Sequence, residues 1–252
     1  MTFRSPLPVL LLLTTLLMSH RETSADEPQK SAQLNVQVPV QMNYLIALPE
    51  NYDQQEKWPL VLFLHGKGER GNDLELVKRH GPPRLVAEGK KFPFILVSPQ
   101  CPDDRWWDVS VLNALLDDVI KTHKVDEDRV YCTGLSMGGF GTWNLAAYNR
   151  LRFAAIAPIC GGSESFHARY ISHIPIWTFH GDQDKAVPVE RTLIAVEAVK
   201  KAGGNPRVTI YPGVGHNSWE QTYNNPEFYE WLLSHKRPAD LPPDPDKVPR
   251  KN

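Results

Sequence analysis

Apolar runs of four to six residues recur along this chain, separated by more polar segments. Most of the runs do not alternate between apolar and polar positions, as a strand with one face in water would. An unbroken apolar run is instead typical of a parallel strand that is covered on both faces. Six runs have this character, at residues 60–64, 94–98, 130–133, 154–159, 176–180 and 208–211. Two earlier and more mixed runs, at residues 34–38 and 44–48, could form an antiparallel edge.

Between these runs lie segments with the spacing of amphipathic helices. In residues 112–120 the apolar positions fall at i, i+3, i+4, i+7 and i+8, which places them on one helix face. Residues 189–200 repeat that spacing and are followed by Gly203 and Gly204, which are typical helix-stop residues. Residues 228–233 predict a last helix. Strands that alternate with helices predict an α/β fold with a mostly parallel, twisted sheet and helices on both faces.

The composition is that of an ordinary globular protein, with 41% hydrophobic and 23% charged residues. A length of 252 residues suits one α/β domain with a sizeable core and would be cramped for two full domains. We assign that domain to residues 26–236. The formal net charge of −1 provides no field that would hold nucleic acid or an acidic membrane surface, so neither is an expected partner. The sequence does not indicate an oligomeric state.

Both ends of the chain differ from this pattern. Arg4 precedes an almost wholly apolar segment, residues 7–18, and small residues follow at 23–25, which is the order of a secretory signal peptide. We therefore expect residues 1–25 to be removed and the protein to be secreted or periplasmic. The apolar segment is shorter than the roughly 20 residues of a membrane-spanning helix, although an uncleaved anchor is the alternative. Residues 237–252 combine proline and charge with little apolar content, which predicts a disordered tail.

The three cysteines, Cys101, Cys132 and Cys160, are an odd number, so at least one of them has no disulfide partner within the chain. Cys132 and Cys160 lie in or beside apolar runs, where a free cysteine usually packs as a small hydrophobic residue. None of the three has the spacing of a metal site, and we expect no metal or other cofactor.

The motif G-L-S-M-G, centred on Ser136, directly follows the expected strand at residues 130–133 and precedes a segment that can form a helix. In that context G-x-S-x-G forms a sharp strand-to-helix turn that exposes the serine hydroxyl above the sheet. The N-terminus of the following helix favours negative charge at this place. Ser136 is therefore the candidate nucleophile, against the alternative of an ordinary glycine-rich turn.

A serine hydroxyl needs a base and an orienting acid to become a good nucleophile. His216 follows the expected strand at residues 208–211, and Asp182 and Asp184 follow the one at residues 176–180. The carboxyl ends of strands are where open α/β sheets place their sites, and Ser, Asp, His is the chain order of α/β-hydrolases. We expect His216 to be the base and one of the two aspartates to be the acid.

Cleavage of an ester or amide also needs hydrogen-bond donors for the oxyanion that forms during attack. One donor is expected at the backbone N–H of Met137, the residue after Ser136. The second is expected at the backbone N–H of Lys67, in the loop H-G-K-G-E-R-G at residues 65–71, whose glycines allow close approach. The alternative for this loop is a phosphate-binding role, but no Gly-Lys-Ser/Thr follows to support it.

Six segments together resemble the secreted carboxylesterase and "predicted peptidase" branch of the α/β-hydrolases. They read LFLHGKGERGND, VSPQCP, RVYCTGLSMGGFGTWNLA, FAAIAPICGG, FHGDQDKAVPVER and YPGVGHNSWE. The resemblance runs from about Tyr44 to His235, and the branch is similar to feruloyl and acetyl-xylan esterases, phospholipase/carboxylesterases and the catalytic domain of prolyl oligopeptidases. It implies Ser136 as nucleophile and His216 as base.

The same resemblance implies which aspartate is the acid. It places the acid in a D-x-x-V-P pattern, which begins here at Asp184 and not at Asp182. Lys67 stands where relatives usually carry a small residue, a departure that matters little if only its backbone acts. Dienelactone hydrolases share the architecture but use a cysteine nucleophile, and the serine at position 136 disfavours that chemistry.

The expected function is the hydrolysis of an ester at an open site. The loops on the side of the candidate residues are short and leave no room for a large cap domain, which suits a small acyl ester or an ester on a polymer. Trp106, Trp107 and Trp219 lie in loops near that side and could stack on a sugar or phenolic ring, or pack their own loops. Acetyl, feruloyl and short alkyl esters remain open. A serine peptidase and a catalytically inactive binding module are the alternatives.

Overall fold

The computed structural model describes residues 29–240 and Asp246. The chain forms two compact units, Met1–Pro39 and Val40–Asn252. All described helices and strands belong to the second unit, and the described part of the first unit has neither. The predicted signal peptide, residues 1–25, lies outside the described residues.

The described part of the chain contains a single sheet of seven strands: β1 Tyr44–Ala47, β2 Trp58–Leu64, β3 Ile95–Pro99, β4 Val125–Leu135, β5 Ala155–Ile159, β6 Trp177–Gly181 and β7 Arg207–Tyr211. Their order across the sheet is β1-β3-β2-β4-β5-β6-β7. β1 pairs antiparallel with β3, and every other neighbouring pair is parallel. Each of the six unbroken apolar runs coincides with one of β2 to β7, so the predicted parallel sheet is confirmed.

The two mixed runs near the N-terminus behave differently from each other. β1 takes up most of residues 44–48 and forms the antiparallel edge. Residues 34–38 form no strand, so this part of the expectation is wrong. Leu34 is 82% and Val38 is 77% exposed, so the apolar positions of the run are not buried, which a stable strand would require. Pro39, which has no N–H to donate to a sheet, follows directly.

Burial explains why the central strands carry so few polar positions. All seven residues of β2 are buried, and so are all five residues of β3, of β5 and of β6. β2 lies between β3 and β4, with Leu60 opposite both Ile95 and Val130. Because neither face of β2 meets water, both sets of alternating side chains must be apolar. β7, at the end of the sheet, is only half-buried.

Helices cover both faces of the sheet, as the sequence predicts. Seven α-helices lie in the described residues: α1 Gly81–Ala87, α2 Val109–Thr122, α3 Met137–Tyr148, α4 Ala168–Ile171, α5 Glu190–Lys201, α6 Trp219–Asn224 and α7 Pro226–Ser234. Four short 3₁₀ helices accompany them, at Tyr52–Gln54, Lys67–Glu69, Leu76–Arg79 and Ser165–His167. β2 gives Leu60, Leu62 and Leu64 to a core cluster that also holds side chains of α2, α3, α4 and α5. It gives Val61 and Phe63 to a second cluster with α1, α6 and α7. Since alternate residues of a strand point to opposite faces, the two clusters lie on opposite sides of the sheet.

None of the described helices is long and apolar enough to cross a membrane. The predicted tail is described only in part. Arg237, its first residue, donates its backbone N–H to Asp128 O at 2.8 Å and its side chain to Leu151 O at 2.9 Å. Apart from Asp246, the tail beyond residue 240 lies outside the described residues, so its disorder stays a prediction.

Candidate active site

Ser136 lies at the turn between β4 and α3, as the sequence predicts. Its backbone has φ 52° and ψ −115°, a conformation that costs about 1–3 kcal/mol for a residue with a side chain. Its N–H donates to Ile159 O at 3.0 Å, and its carbonyl accepts the N–H of Phe140 at 3.1 Å. These bonds hold the strained turn, which presents the hydroxyl at the carboxyl edge of the sheet.

The glycines around Ser136 are required because backbone atoms lie where their side chains would be. A Cβ at Gly138 would lie 1.9 Å from Leu64 O, and a Cβ at Gly134 would lie 2.4 Å from Gly138 O. Both distances are well under 3.0 Å, closer than a real Cβ comes to a non-bonded heavy atom. The glycines therefore allow α3 to begin directly against the end of β2.

His216 joins Ser136 to Asp184. Its Nε2 lies 2.9 Å from Ser136 Oγ, and its Nδ1 lies 2.7 Å from Asp184 Oδ2. The three residues follow β4, β6 and β7, so parallel strands bring them to the same edge of the sheet. Serine, histidine and aspartate in this hydrogen-bonded order form the arrangement that activates a serine nucleophile.

Asp182, the other aspartate considered from the sequence, has a different partner. Its Oδ1 accepts the N–H of Gly213 at 2.7 Å, and the residue is exposed. The Asp184 side chain, by contrast, is completely buried. The structure thus brings Asp184, and not Asp182, to His216.

Four donors surround the Asp184 carboxylate. Oδ1 accepts the N–H groups of Ala186 and Val187, both at 2.9 Å, and Oδ2 accepts from His216 and His180. Burial raises the pKa of this carboxyl, but the hydrogen bonds from His216 and the two backbone N–H groups outweigh burial and hold the pKa below its ordinary value. Asp184 is therefore ionised at neutral pH and can only accept hydrogen bonds. The proton of His216 consequently lies on Nδ1, which leaves the Nε2 lone pair for the serine hydroxyl.

Lys67 and Met137, the predicted oxyanion donors, each begin a helical segment. Lys67 is the first residue of a short 3₁₀ turn, and Met137 is the first residue of α3. The first N–H groups of a helix have no acceptor within it, so both are available to a ligand. Gly66 brings the loop against the serine turn, because a Cβ there would lie 2.8 Å from Leu135 Cδ1. The two segments therefore meet next to Ser136.

His65 holds the loop of Lys67 from inside the protein. It is completely buried, its Nδ1 lies 2.6 Å from Gly66 O, and its Nε2 accepts the N–H of Cys101 at 3.0 Å. A ring that accepts at Nε2 and faces a carbonyl at Nδ1 is neutral, with its proton on Nδ1. Burial lowers the pKa of His65 to about 4. The hydrogen bond to Gly66 O acts to raise this pKa, and the positive charge of Arg70 lowers it further. His65 is therefore a neutral clamp on the loop.

The aromatic residues considered as substrate contacts differ in exposure. Trp107 is only 8% exposed, and its Nε1 donates to His65 O at 3.2 Å. Trp107 thus packs within the loop, and its role as a substrate contact stays a prediction. Trp219 is half-buried, and its ring stands edge-on to His216 with the ring centres 5.2 Å apart. Trp106 is 63% exposed.

All three cysteines are buried and free of disulfides. Cys160 differs from the others because its Sγ lies 3.3 Å from the backbone nitrogen of Ser136. In the part of the chain that the structure describes, Cys160, Asp184 and His216 place possible metal-ligand atoms within 4.8 Å of one another. Burial raises the pKa of the Cys160 thiol to about 12. Asp184 and His216 are already joined by a hydrogen bond of 2.7 Å, and Cys160 Sγ faces the Ser136 nitrogen.

Two neighbours of the candidate triad are not indicated by the sequence patterns. His180, the fourth residue of β6, places Nε2 3.1 Å from Asp184 Oδ2. Cys160, directly after β5, lies against Ser136. His180 could have been found from the sequence, because it lies only four residues before Asp184. Cys160 could not, because its contact with Ser136 depends on β5 lying beside β4.

Comparison with known proteins gives matches to proteins named as esterases. The chain is 29% identical over 174 residues to NocK of Nocardia uniformis subsp. tsuyamanensis. The matched segment covers 64% of this chain and 48% of NocK. It is 26% identical over 228 residues to "Probable feruloyl esterase C" of Aspergillus flavus, which covers 86% of this chain and 83% of that protein. A thermostable esterase of known structure has a TM-score of 0.70 and 33% identity, over 79% of this chain and 60% of the esterase. The chain thus spans about half the length of NocK and less than two thirds of the thermostable esterase.

Residues 100–228, about half of the chain, match the dienelactone hydrolase family. The matched segment contains Ser136, Asp184 and His216. Position 136 carries a serine and not the cysteine expected above of a dienelactone hydrolase. The match therefore assigns the family and not the nucleophile. Together with the seven-stranded, mostly parallel sheet and its two layers of helices, it shows that the chain belongs to the dienelactone hydrolase family of α/β-hydrolases.

Proposed function

We propose that this protein is an exported serine esterase that cleaves carboxylic esters through an acyl-enzyme. The observation that carries the proposal is the run of hydrogen bonds from Asp184 through His216 to Ser136. It supplies an acid, a base and a nucleophile in the order that serine hydrolysis requires. The names of NocK, of the feruloyl esterase and of the thermostable esterase support an ester as the substrate.

The first half of the reaction acylates the serine. Ser136 Oγ attacks the ester carbonyl while its proton passes to His216 Nε2. The imidazolium that forms is stabilised by the ionised Asp184. The carbonyl oxygen becomes an oxyanion, and the N–H groups of Lys67 and Met137 are its donors.

The second half of the reaction frees the serine. His216 gives its proton to the alcohol oxygen, the alcohol leaves, and the acyl group stays on Ser136. Water then attacks the acyl carbonyl and passes a proton to the same His216 nitrogen, which returns it to Ser136 as the carboxylic acid leaves. These steps balance without a metal or a redox cofactor. Activity is therefore expected to persist in EDTA, and loss of activity that zinc restores would contradict this mechanism.

The substrate is proposed to bind at an open site. Between β5 and β6 the chain forms only a 3₁₀ turn and the four-residue α4, so this connection contributes no large cap to this side of the sheet. The exposed Trp106 meets Phe140 edge-on with ring centres 6.3 Å apart, and Phe140 lies one helical turn beyond Ser136. An open site with aromatic residues near its edge suits a small acyl ester or an ester carried by a polysaccharide.

Export is proposed from the first 25 residues of the sequence. The order of Arg4, an apolar segment and small residues is that of a cleavable signal peptide. Mass spectrometry of the exported protein should find an N-terminus near residue 26. An intact Met1 on exported protein would indicate a membrane anchor instead.

The proposed activity is tested by substrate preference and by the serine itself. Wild-type protein should hydrolyse p-nitrophenyl acetate faster than a peptide anilide, and a fluorophosphonate probe should label it. Ser136→Ala should remove labelling and almost all hydrolysis while leaving the thermal unfolding temperature unchanged, because only a partly exposed hydroxyl is lost. Labelling of another serine would contradict the role of Ser136. Cleavage of the anilide alone would indicate a peptidase, and no turnover of any substrate would indicate a binding module.

A further inference from the structure

His180 is a buried histidine that contacts the candidate acid. It lies in β6, and no part of its side chain is exposed. Its Nε2 lies 3.1 Å from Asp184 Oδ2, the same oxygen that meets His216 Nδ1 at 2.7 Å. Two histidines therefore share one carboxylate oxygen, and His216 is the one that also meets Ser136.

The partners of the His180 ring place a proton on Nε2. Besides Asp184 Oδ2, this nitrogen lies 2.8 Å from Val187 O. A carboxylate and a carbonyl only accept hydrogen bonds, so Nε2 must carry a hydrogen to meet them. Nδ1 lies 2.7 Å from Thr192 Oγ1, and a hydroxyl can meet a ring nitrogen in either state. Nε2 is therefore a donor to Asp184 whatever the state of Nδ1.

The ring of His180 is itself held in place by α5. Thr192 of α5 lies 2.7 Å from Nδ1 and 2.6 Å from Gly161 O, and its single hydroxyl hydrogen goes to one of these two atoms. His180 and Thr192 are both completely buried. Turning the ring would leave buried polar atoms without partners, which is costly in free energy. The imidazole is thus a fixed donor.

A fixed donor matters because Asp184 must keep one oxygen toward His216. The N–H groups of Ala186 and Val187 hold Oδ1. His180 holds Oδ2, the oxygen that faces the base. Between them, these donors oppose rotation of the carboxylate away from His216.

We propose that His180 is a positioning residue, which donates from Nε2 to Asp184 Oδ2 and keeps that oxygen aligned with His216 Nδ1. His180 does not touch the substrate and acts through Asp184. Its effect on the reaction rate rests on the proposed function, whereas the hydrogen bond itself can be observed independently of activity.

Two substitutions of similar size separate the hydrogen bond from packing. His180→Gln places an amide N–H near the position of Nε2, and His180→Met fills a similar volume without a donor. Hydrolysis of p-nitrophenyl acetate gives kcat and KM, and the rate of fluorophosphonate labelling reports the reactivity of Ser136. We expect His180→Met to lower kcat about 10- to 100-fold with KM unchanged, because a hydrogen bond to a charged group is lost. His180→Gln should recover most of that loss and label faster than His180→Met.

Two outcomes with the variants would overturn the proposal. An equal loss of kcat in His180→Gln and His180→Met would show that His180 acts only through packing. An unchanged kcat in a folded His180→Met would show that the contact does not affect the reaction. Thermal unfolding of both variants identifies a protein that has failed to fold.

A measurement on the wild-type protein keeps the proposal testable if a variant does not fold. In protein carrying ¹⁵N-labelled histidine, NMR should show a hydrogen on His180 Nε2 that exchanges slowly with water. A bare Nε2 would overturn the proposal, because its lone pair would then face a carboxylate. A wild-type protein without esterase activity would contradict the proposed function, while the NMR result would still decide the contact between His180 and Asp184.

Discussion

Asp184 Oδ2 lies 2.7 Å from His216 Nδ1 and binds the imidazole from a completely buried position. Asp182, two residues earlier, makes a hydrogen bond of equal length, but its partner is the backbone N–H of Gly213. One aspartate therefore orients the candidate base, and the other supports a turn. This division of roles predicts that the same chemical change will have very different effects at the two positions.

Asp184→Asn should lower kcat by up to about 10⁴-fold with little change in KM. An amide has no negative charge to stabilise the His216 imidazolium, and its NH₂ group favours the wrong tautomer of the ring. Steady-state kinetics on p-nitrophenyl acetate measure the effect. Asp182→Asn is the matched control and should stay close to wild type, because its amide oxygen can still accept from Gly213. A larger loss in the control would mean that Asp182 is the acid.

The buried His65 should make the folded protein less stable in mild acid. Burial lowers its pKa to about 4, whereas in the unfolded chain the ring takes up a proton near pH 6.5. Between these values the unfolded state binds more protons, so stability falls as pH decreases from about 6.5 to about 4. The contribution of His65 is at most about 3 kcal/mol. Urea unfolding of wild-type protein between pH 7 and 4.5 measures it.

The matched variant for this prediction is His65→Asn. Its amide can still donate to Gly66 O but does not titrate, so its stability should depend less steeply on pH. NMR of the wild-type ring should find His65 neutral at pH 5.5, with its proton on Nδ1. Equal pH dependence in the two proteins, or a ring that is charged at pH 5.5, would contradict the assignment.

The candidate triad could be located from the sequence because each member comes within five residues of the end of an apolar strand. Parallel strands end at one edge of the sheet, and the chain order Ser, Asp, His matches α/β-hydrolases, so Ser136 and His216 needed no coordinates. The choice between Asp182 and Asp184 did not follow from position, since both come soon after β6. It depended on the V-P continuation of the family pattern.

The remaining features depend on neighbours that a local pattern does not specify. Cys160 meets Ser136 because β5 lies beside β4, and that adjacency is set by the path of the helical connections. Trp107 is buried because it packs on the His65 loop. Residues 34–38 alternate as a strand would, but a strand also needs a partner, which their own sequence cannot supply.

Gly138→Ala should destabilise the protein and remove activity. The new Cβ would lie 1.9 Å from Leu64 O and 2.7 Å from His65 O, and backbone atoms cannot easily give way. Relief of the clash would move α3 and with it Ser136, at a cost of about 1–3 kcal/mol or more. Thermal unfolding and fluorophosphonate labelling measure the two effects. Gly68→Ala is the stability control, since a Cβ there meets nothing within 4 Å, and an equal loss of stability would refute the packing argument.

At Lys67 the backbone N–H and the side chain can be removed separately, by two different substitutions. Lys67 begins a 3₁₀ turn after an extended Gly66 with φ −79° and ψ −175°, a place where proline fits without breaking the helix. Lys67→Pro deletes the N–H and should lower kcat by about 10²- to 10³-fold, the usual effect of losing one oxyanion donor. Lys67→Ala keeps the N–H and removes an exposed side chain, so its kcat should match wild type. The pair is compared on p-nitrophenyl acetate, with thermal unfolding as the control for folding. If Lys67→Ala is as slow as Lys67→Pro, the ammonium group and not the backbone stabilises the transition state.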